Sequence, residues 1–202
     1  MHSFDDAPGP IAEPPPDIGQ RRLPIITLSE TTWFRGHKAG RDPLYFNRDP
    51  AGGRFNASGG EFGVLYVGET DTCAFAEAFC HNERLRIVTE AALSRSCLCP
   101  IATARPVRIV DLSTGAGLRW LGADARSCSG PWTISQRWAR ALWQHAEEPD
   151  GILYRSRVAP ELRAIALFDR AAGIVTANCA GNILTDRHRL GQILDDLDVA
   201  LI

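Results

Sequence analysis

Lysine is almost missing from this 202-residue sequence: Lys38 is the only one, and arginine supplies the rest of the 22 basic residues, set against 24 acidic ones for a net charge of −2. That balance offers no basic face, which excludes a nucleic-acid binder held by phosphate contacts. No stretch approaches the roughly 20 apolar residues of a membrane-spanning helix. The start, Met-His-Ser-Phe-Asp-Asp, has no basic region followed by an apolar one, so no secretory leader and a cytoplasmic location are expected. Cys97-Leu-Cys99 has no second cysteine pair and no histidine at zinc-finger spacing, so no metal is expected. The six cysteines (73, 80, 97, 99, 128 and 179) read as structural or surface thiols. A phosphate-binding G-x-x-x-x-G-K-[ST] and a nucleophile elbow G-x-S-x-G are both absent, which removes P-loop and α/β-hydrolase chemistry. Gly115-Ala-Gly117 opens like a dinucleotide fingerprint, but Trp120 stands where the third glycine belongs, and an indole there blocks close packing.

The remainder is ordinary globular composition, 45% hydrophobic and 23% charged. Six of the thirteen prolines fall in the first 24 residues, so residues 1–24 read as a disordered or extended tail. Residues 25–202 read as a single domain. Short apolar runs predict strands over 31–36, 63–68, 107–112, 151–154 and 163–168, and helices over 71–81, 114–121 and 190–197. Thr133 and Gln136 form a capping-box pattern that starts another helix, burying Ile134, Trp138, Leu142 and His145. Residues 40–60, with seven Gly/Pro, read as a long loop, a feature uncommon in compact domains unless it binds something. Strands and helices do not alternate regularly, so the fold class is a mixed α+β domain.

Four places carry candidate chemistry. The helix Cys73-Ala-Phe-Ala-Glu-Ala-Phe-Cys80 has one charge in eight residues, so Glu77 is partly desolvated. It is either a rim carboxylate paired with a stray cation or a group held for acid, base or electrostatic work. Strand alternation puts Arg35 on the same face as Trp33, where it either stacks on the indole or offers a fork to an anion. Arg54 lies in Gly52-Gly-Arg-Phe-Asn56, where mobile backbone and a guanidinium suit a phosphate. Ser156 ends the strand Asp150-Gly-Ile-Leu-Tyr-Arg-Ser156 and is either a turn serine or a ligand contact.

In order, W-F-R-G, D-P-L-Y-F-N, G-G-R-F-N, G-V-L-Y-V-G-E-T, A-F-A-E-A-F and D-G-I-L-Y-R-S resemble the RES-domain family, the toxins of RES–Xre bacterial toxin–antitoxin pairs, over Thr32 to Phe168. The resemblance implies an ADP-ribosyltransferase-like fold of mainly antiparallel sheets with flanking helices around a cleft. It implies Arg35, Glu77 and Ser156 as the family's Arg, Glu and Ser, with Arg54 and Tyr66 at further pocket positions. It also implies NAD+ as substrate, inorganic phosphate as a candidate co-substrate with no further cofactor, and an Xre-type antitoxin over the cleft.

The chemistry agrees with that expectation. Arg35 and Arg54 suit a pyrophosphate, and Tyr66 offers a ring face to nicotinamide or ribose. Glu77 suits the positive charge that develops as the nicotinamide–ribose bond breaks, and Ser156 suits the nicotinamide amide or a phosphate. Three readings stand side by side: NAD+ degradation by phosphorolysis or hydrolysis, ADP-ribosyl transfer to a protein, and a catalytically inactive module that docks an antitoxin.

Overall fold

A computed structural model describes residues 9–29, 32–80, 86–179 and 181–202. The chain forms strands β1 (Ile25–Leu28), β2 (Trp33–Lys38) and β3 (Val64–Gly68), helix α1 (Asp71–Phe79), the short strand β4 (Ile87–Val88) and helix α2 (Glu90–Leu93). Strands β5 (Ser96–Thr103) and β6 (Val107–Asp111) follow, then helices α3 (Gly115–Leu121), α4 (Ala125–Ser129) and α5 (Trp132–Trp143). Strands β7 (Gly151–Arg155), β8 (Arg163–Phe168) and β9 (Val175–Ala177), helix α6 (Arg187–Leu197) and strand β10 (Ala200–Leu201) complete it.

Eight strands make one sheet in the order β1-β6-β7-β8-β3-β2-β5-β9, antiparallel except for β6 against β7. The sheet curls. One core cluster draws Trp33, Leu65, Val67, Ile101, Ile109, Leu153, Ile165 and Val175 from strands across its width, with Ile26 of β1 and Ala177 of β9 packed against it from both ends. The opposite face is covered by α3–α5 and by Phe55, Ala57 and Phe62 of the long loop. Helices α1, α2 and α6 close the remainder through Phe75, Leu93, Leu190 and Ile193. This is the mixed α+β architecture expected from the sequence.

Two expectations change. Helix α5 begins one residue before Thr133, with Pro131 at the N-cap and no side-chain cap. Pro131 supplies the pre-set backbone that starts the turn, so Thr133 lies inside the first turn and forms no capping box. Residues 9–24 run extended except for one 3-10 turn at Ile18–Gln20, and they are anchored to the domain. Trp138 Nε1 donates to Ala12 O at 2.9 Å, Arg126 Nη1 donates to Gly9 O at 2.8 Å, and Ile18 and Leu23 are buried. Prolines keep this strap out of the sheet, and carbonyls and side chains fasten it to α4 and α5. The helix expected over 71–81 ends at Phe79, and residue 81 lies outside the described residues, as does residue 31 of the first expected strand.

Buried Asp150 fixes the start of β7, the strand that carries Tyr154 toward Ser156. Its carboxylate accepts two bonds from Arg105 at 2.9 Å and one from Arg108 N at 2.8 Å. Burial pushes this carboxyl up, but the Arg105 and Arg108 bonds outweigh it and hold it below the ordinary carboxylate range. The resulting stability is complete above the unfolded value of about 3.9 and fades as pH falls through the lowered folded value. Asp150→Asn is expected to cost about 2 kcal/mol at pH 7. In urea unfolding that deficit should shrink as pH falls through the lowered native value, where the native carboxyl is protonated as well.

Candidate functional site

The site begins with a break in strand pairing. β2 and β3 are neighbours in the sheet, yet they pair at one rung only, Phe34 with Gly68. Beyond it the strands part, and Asn47 of the long loop takes over as β3's partner, exchanging backbone bonds with Val64 at 2.9 and 3.0 Å. Helix α1 lies on the rung itself. A Cβ on Gly36 would stand 2.5 Å from Ala78 Cβ, and one on Gly68 would stand 2.5 Å from Ala74 N. Only glycine lets the helix come this close. Thr70 starts α1 by accepting from Cys73 N at 3.0 Å, which places Glu77 two turns along, facing the cleft.

The cleft is a cavity of about 590 Å³, within the range of small-molecule sites. Its lining includes Arg35, Arg54, Tyr66 and Glu77, together with Tyr154, Arg155, Arg157 and Trp132. Among the described residues, Glu77 is the only acidic one in that lining, beside four arginines. In a chain of net charge −2, such a local excess marks a place for an anion.

Arg35 shows the need for an anion most directly. Its Nη2 donates to Tyr45 O at 3.3 Å, while Nε and Nη1 are buried with no partner. Burial lowers its pKa to about 10, opposed by Asp42, so it stays charged at neutral pH. Trp33 is buried in the core, and the cation–π contacts among the described residues belong to Arg170 and Arg189. The stacking alternative for Arg35 therefore falls away, and two guanidinium nitrogens wait for an acceptor. Arg54 is half-buried, donates to Gly130 O, and has its pKa lowered by burial and by Arg157.

Glu77 is held from both sides. Ser156 Oγ donates to Oε1 at 2.6 Å and Tyr154 OH donates to Oε2 at 3.4 Å. Burial and the Glu77 carboxylate both push the Tyr154 phenol well up, so it remains a donor. The Ser156 hydroxyl also accepts from Val158 N at 3.2 Å and Ala159 N at 3.1 Å. One proton and two lone pairs are then all in use. In this arrangement Ser156 positions Glu77, and contact with nicotinamide or phosphate would require it to leave those partners.

Tyr66 lines the cavity with its ring, while its hydroxyl accepts from Phe55 N at 2.8 Å and donates to Asn56 Oδ1 at 2.9 Å. Burial raises that phenol far above its ordinary value. The tyrosine thus ties the Gly-Gly-Arg-Phe-Asn loop to β3 and holds the segment that follows Arg54. Cys128 in the cavity wall is pushed up to about 12 by burial, against the pull of Arg54. It is a protonated thiol, not a nucleophile.

The structure gathers all five sequence candidates (Arg35, Arg54, Tyr66, Glu77 and Ser156) around one cleft. Sequence reasoning missed Tyr154 and Arg157. Tyr154 reads as a core strand residue, and the one signal for Arg157 was its place beside Ser156.

Residues 31–186 match the RES domain family. A protein of Sinorhizobium fredii (strain NBRC 101917 / NGR234) named "Probable toxin y4kH" is 32% identical over 112 residues, covering 55% of this chain and 87% of that protein. A chain in the crystal structure of the M. tuberculosis MbcT–MbcA toxin–antitoxin complex superposes with a TM-score of 0.60 at 18% identity, covering 77% of this chain and 87% of that one.

Tyr66→Phe removes the partner of two polar groups at once and is expected to cost about 1–3 kcal/mol in urea unfolding; a neutral substitution would show that the loop is held elsewhere. With a matched family span of more than half its length, the chain belongs to the RES-domain family.

Proposed function

We propose that this protein is the toxin of a toxin–antitoxin pair and acts by cleaving the nicotinamide–ribose bond of NAD+, by phosphorolysis or hydrolysis. The observation that carries this reading is the pair of buried, unpartnered nitrogens of Arg35 in the same cavity as a carboxylate with both oxygens fixed. NAD+ brings a pyrophosphate for the arginines and a cationic leaving group whose departure makes the ribose oxocarbenium-like.

Glu77 meets that developing charge. Its orientation is set in advance by Ser156 and Tyr154, so no reorganisation is needed as the bond lengthens. Nicotinamide leaves neutral, so one carboxylate suffices and no general acid is required. Arg35 offers a phosphate its unpartnered Nε and Nη1, gaining charge-assisted bonds without displacing a protein partner. Arg54 and Arg157 add positive charge beside it, which also suits inorganic phosphate as co-substrate. The similarity to "Probable toxin y4kH" and to a toxin–antitoxin complex supports the toxin reading and an antitoxin partner. An Xre-type antitoxin over the cleft mouth would cover Trp132, 43% exposed and part of the lining.

The decisive measurement is NAD+ consumption by the purified chain with and without inorganic phosphate, products separated by chromatography. Phosphate-dependent loss with a phosphorylated ADP-ribose product identifies phosphorolysis; phosphate-independent loss identifies hydrolysis. Label retained on protein would favour ADP-ribosyl transfer instead. Glu77→Gln is expected to abolish turnover with the thermal transition preserved, and full activity in that variant overturns the mechanism. Arg35→Ala is expected to weaken NAD+ binding about tenfold or more, since a charged hydrogen bond is worth about 1.5–3 kcal/mol. Calorimetric titration reads this directly, and unchanged affinity would return Arg35 to a structural role.

A further inference from the structure

A second cluster of reactive side chains lies immediately behind Arg35. In the β2–β5 register Arg35 stands opposite Cys99, and β5 pairs with β9 through Ile101 and Ala177. Two residues further along the same register Cys179 stands opposite Cys99, a pairing carried on by Asn178 N donating to Pro100 O at 3.1 Å. Arg35, Cys99 and Cys179 therefore form one row across three strands. The two cysteines are joined as a disulfide with Cα atoms 4.7 Å apart, close to the spacing of a directly opposed antiparallel pair.

His37, two residues from Arg35 on the same face, completes the cluster. Its Nδ1 lies 3.0 Å from Lys38 O, an acceptor, so Nδ1 carries the proton and Nε2 presents a lone pair. That lone pair is 3.1 Å from Cys99 Sγ and 3.6 Å from Cys179 Sγ. The two sulfurs differ sharply in access: Cys179 is exposed and Cys99 fully buried. A bridged pair supplies no thiolate, so the same three residues, with ligand atoms within 4.8 Å of one another, do not hold a metal in this form.

We propose that Cys99–Cys179 is an exchangeable disulfide, opened at Cys179 by a dithiol reductant with His37 as proton carrier, and that its state tunes the cleft through Arg35. His37 Nε2 takes the proton of the incoming thiol. The thiolate attacks Cys179 Sγ, forming a mixed disulfide, and the electron pair of the broken bond goes to Cys99. The imidazolium returns its proton to Cys99. The reductant's second thiolate then attacks its own sulfur and releases Cys179, which takes up the second proton from solvent. Two electrons and two protons pass from reductant to protein, and the reductant leaves as a disulfide. Opening the bridge frees the last rung of β9, an edge strand three residues long, and admits water beside the Arg35 guanidinium. The water competes with an anion for Nε and Nη1, so the reduced protein grips its anionic ligand less tightly.

The chemical half is independent of substrate, and the coupling half rests on the NAD+ reading above. The test is mass mapping of alkylated cysteines in the full chain before and after a dithiol reductant, with the reduction time course in His37→Gln, and KM for NAD+ in both states. Cys99 and Cys179 should resist alkylation until reduced, and His37→Gln should slow reduction about tenfold or more. KM should rise severalfold on reduction with kcat little changed, and Cys179→Ser should match the reduced protein. Alkylation of both residues without reductant overturns the proposal, as does one tightly held metal ion per chain protecting them. An unchanged reduction rate in His37→Gln removes the histidine's part, and an unchanged KM removes the coupling to Arg35. Absence of NAD+ turnover in both states would strike the substrate reading alone, since the alkylation pattern and its histidine dependence are read without it.

Discussion

A guanidinium taken out of water without partners is costly, and a fold keeps one only where the surroundings hold it in place. Arg35 is in that position at two of its three guanidinium nitrogens, and much of the cleft is arranged around it. It projects where β2 and β3 separate after a single shared rung, and its Nε and Nη1 are left without a partner. The long loop that would otherwise fill the gap is diverted onto β3 at Asn47, and contributes one carbonyl, from Tyr45, to the opposite side of the guanidinium. Sheet, loop and helix converge on the split, yet none of them satisfies the arginine.

The opposite wall is built on the contrary logic. Glu77 has a donor on each oxygen, and Ser156, which supplies the shorter bond, has every hydrogen-bonding position filled. One charged group is thus left wanting a ligand while the other is fixed to receive charge. The first favours ground-state binding. The second favours the transition state, because the carboxylate gains more as positive charge appears near it. The buried thiol of Cys128 in the cavity wall stays protonated and adds no competing nucleophile.

Much of this was legible in the sequence because it depends on local patterns. Apolar runs bounded by glycines set β3, the near-absence of charge in α1 exposed Glu77, and strand alternation placed Arg35 with Trp33. What could not be read depends on contacts distant in sequence. The Ser156–Glu77 bond spans 79 residues and the Cys99–Cys179 bridge spans 80, and no spacing rule reports either. The proline-rich head was legible only in part. Its prolines disfavour α-helix and sheet, which composition shows, but its anchoring depends on Arg126 of α4 and Trp138 of α5 reaching its carbonyls, which composition cannot show. The start of α5 was misplaced because Pro131 and Thr133 both carry initiation signals, and the proline's fixed backbone prevailed.

That strap bears on the site as well. It passes along α4 and α5, where Ile11 packs close to Gly130, and a Cβ on that glycine would lie 3.1 Å from the isoleucine Cδ1. Gly130 O accepts from Arg54, and the neighbouring Cys128 and Trp132 form part of the cavity wall. The α4–α5 corner is thus pressed between the strap outside and Arg54 inside. Tyr66 holds the Arg54 loop to the sheet from below. The position of Arg54 is therefore set by segments from three parts of the chain, one of which, residues 9–24, lies outside the matched family span. The strap confines that corner, and confinement is what lets the guanidinium stand beside Arg157 in a half-dry cavity despite their mutual repulsion.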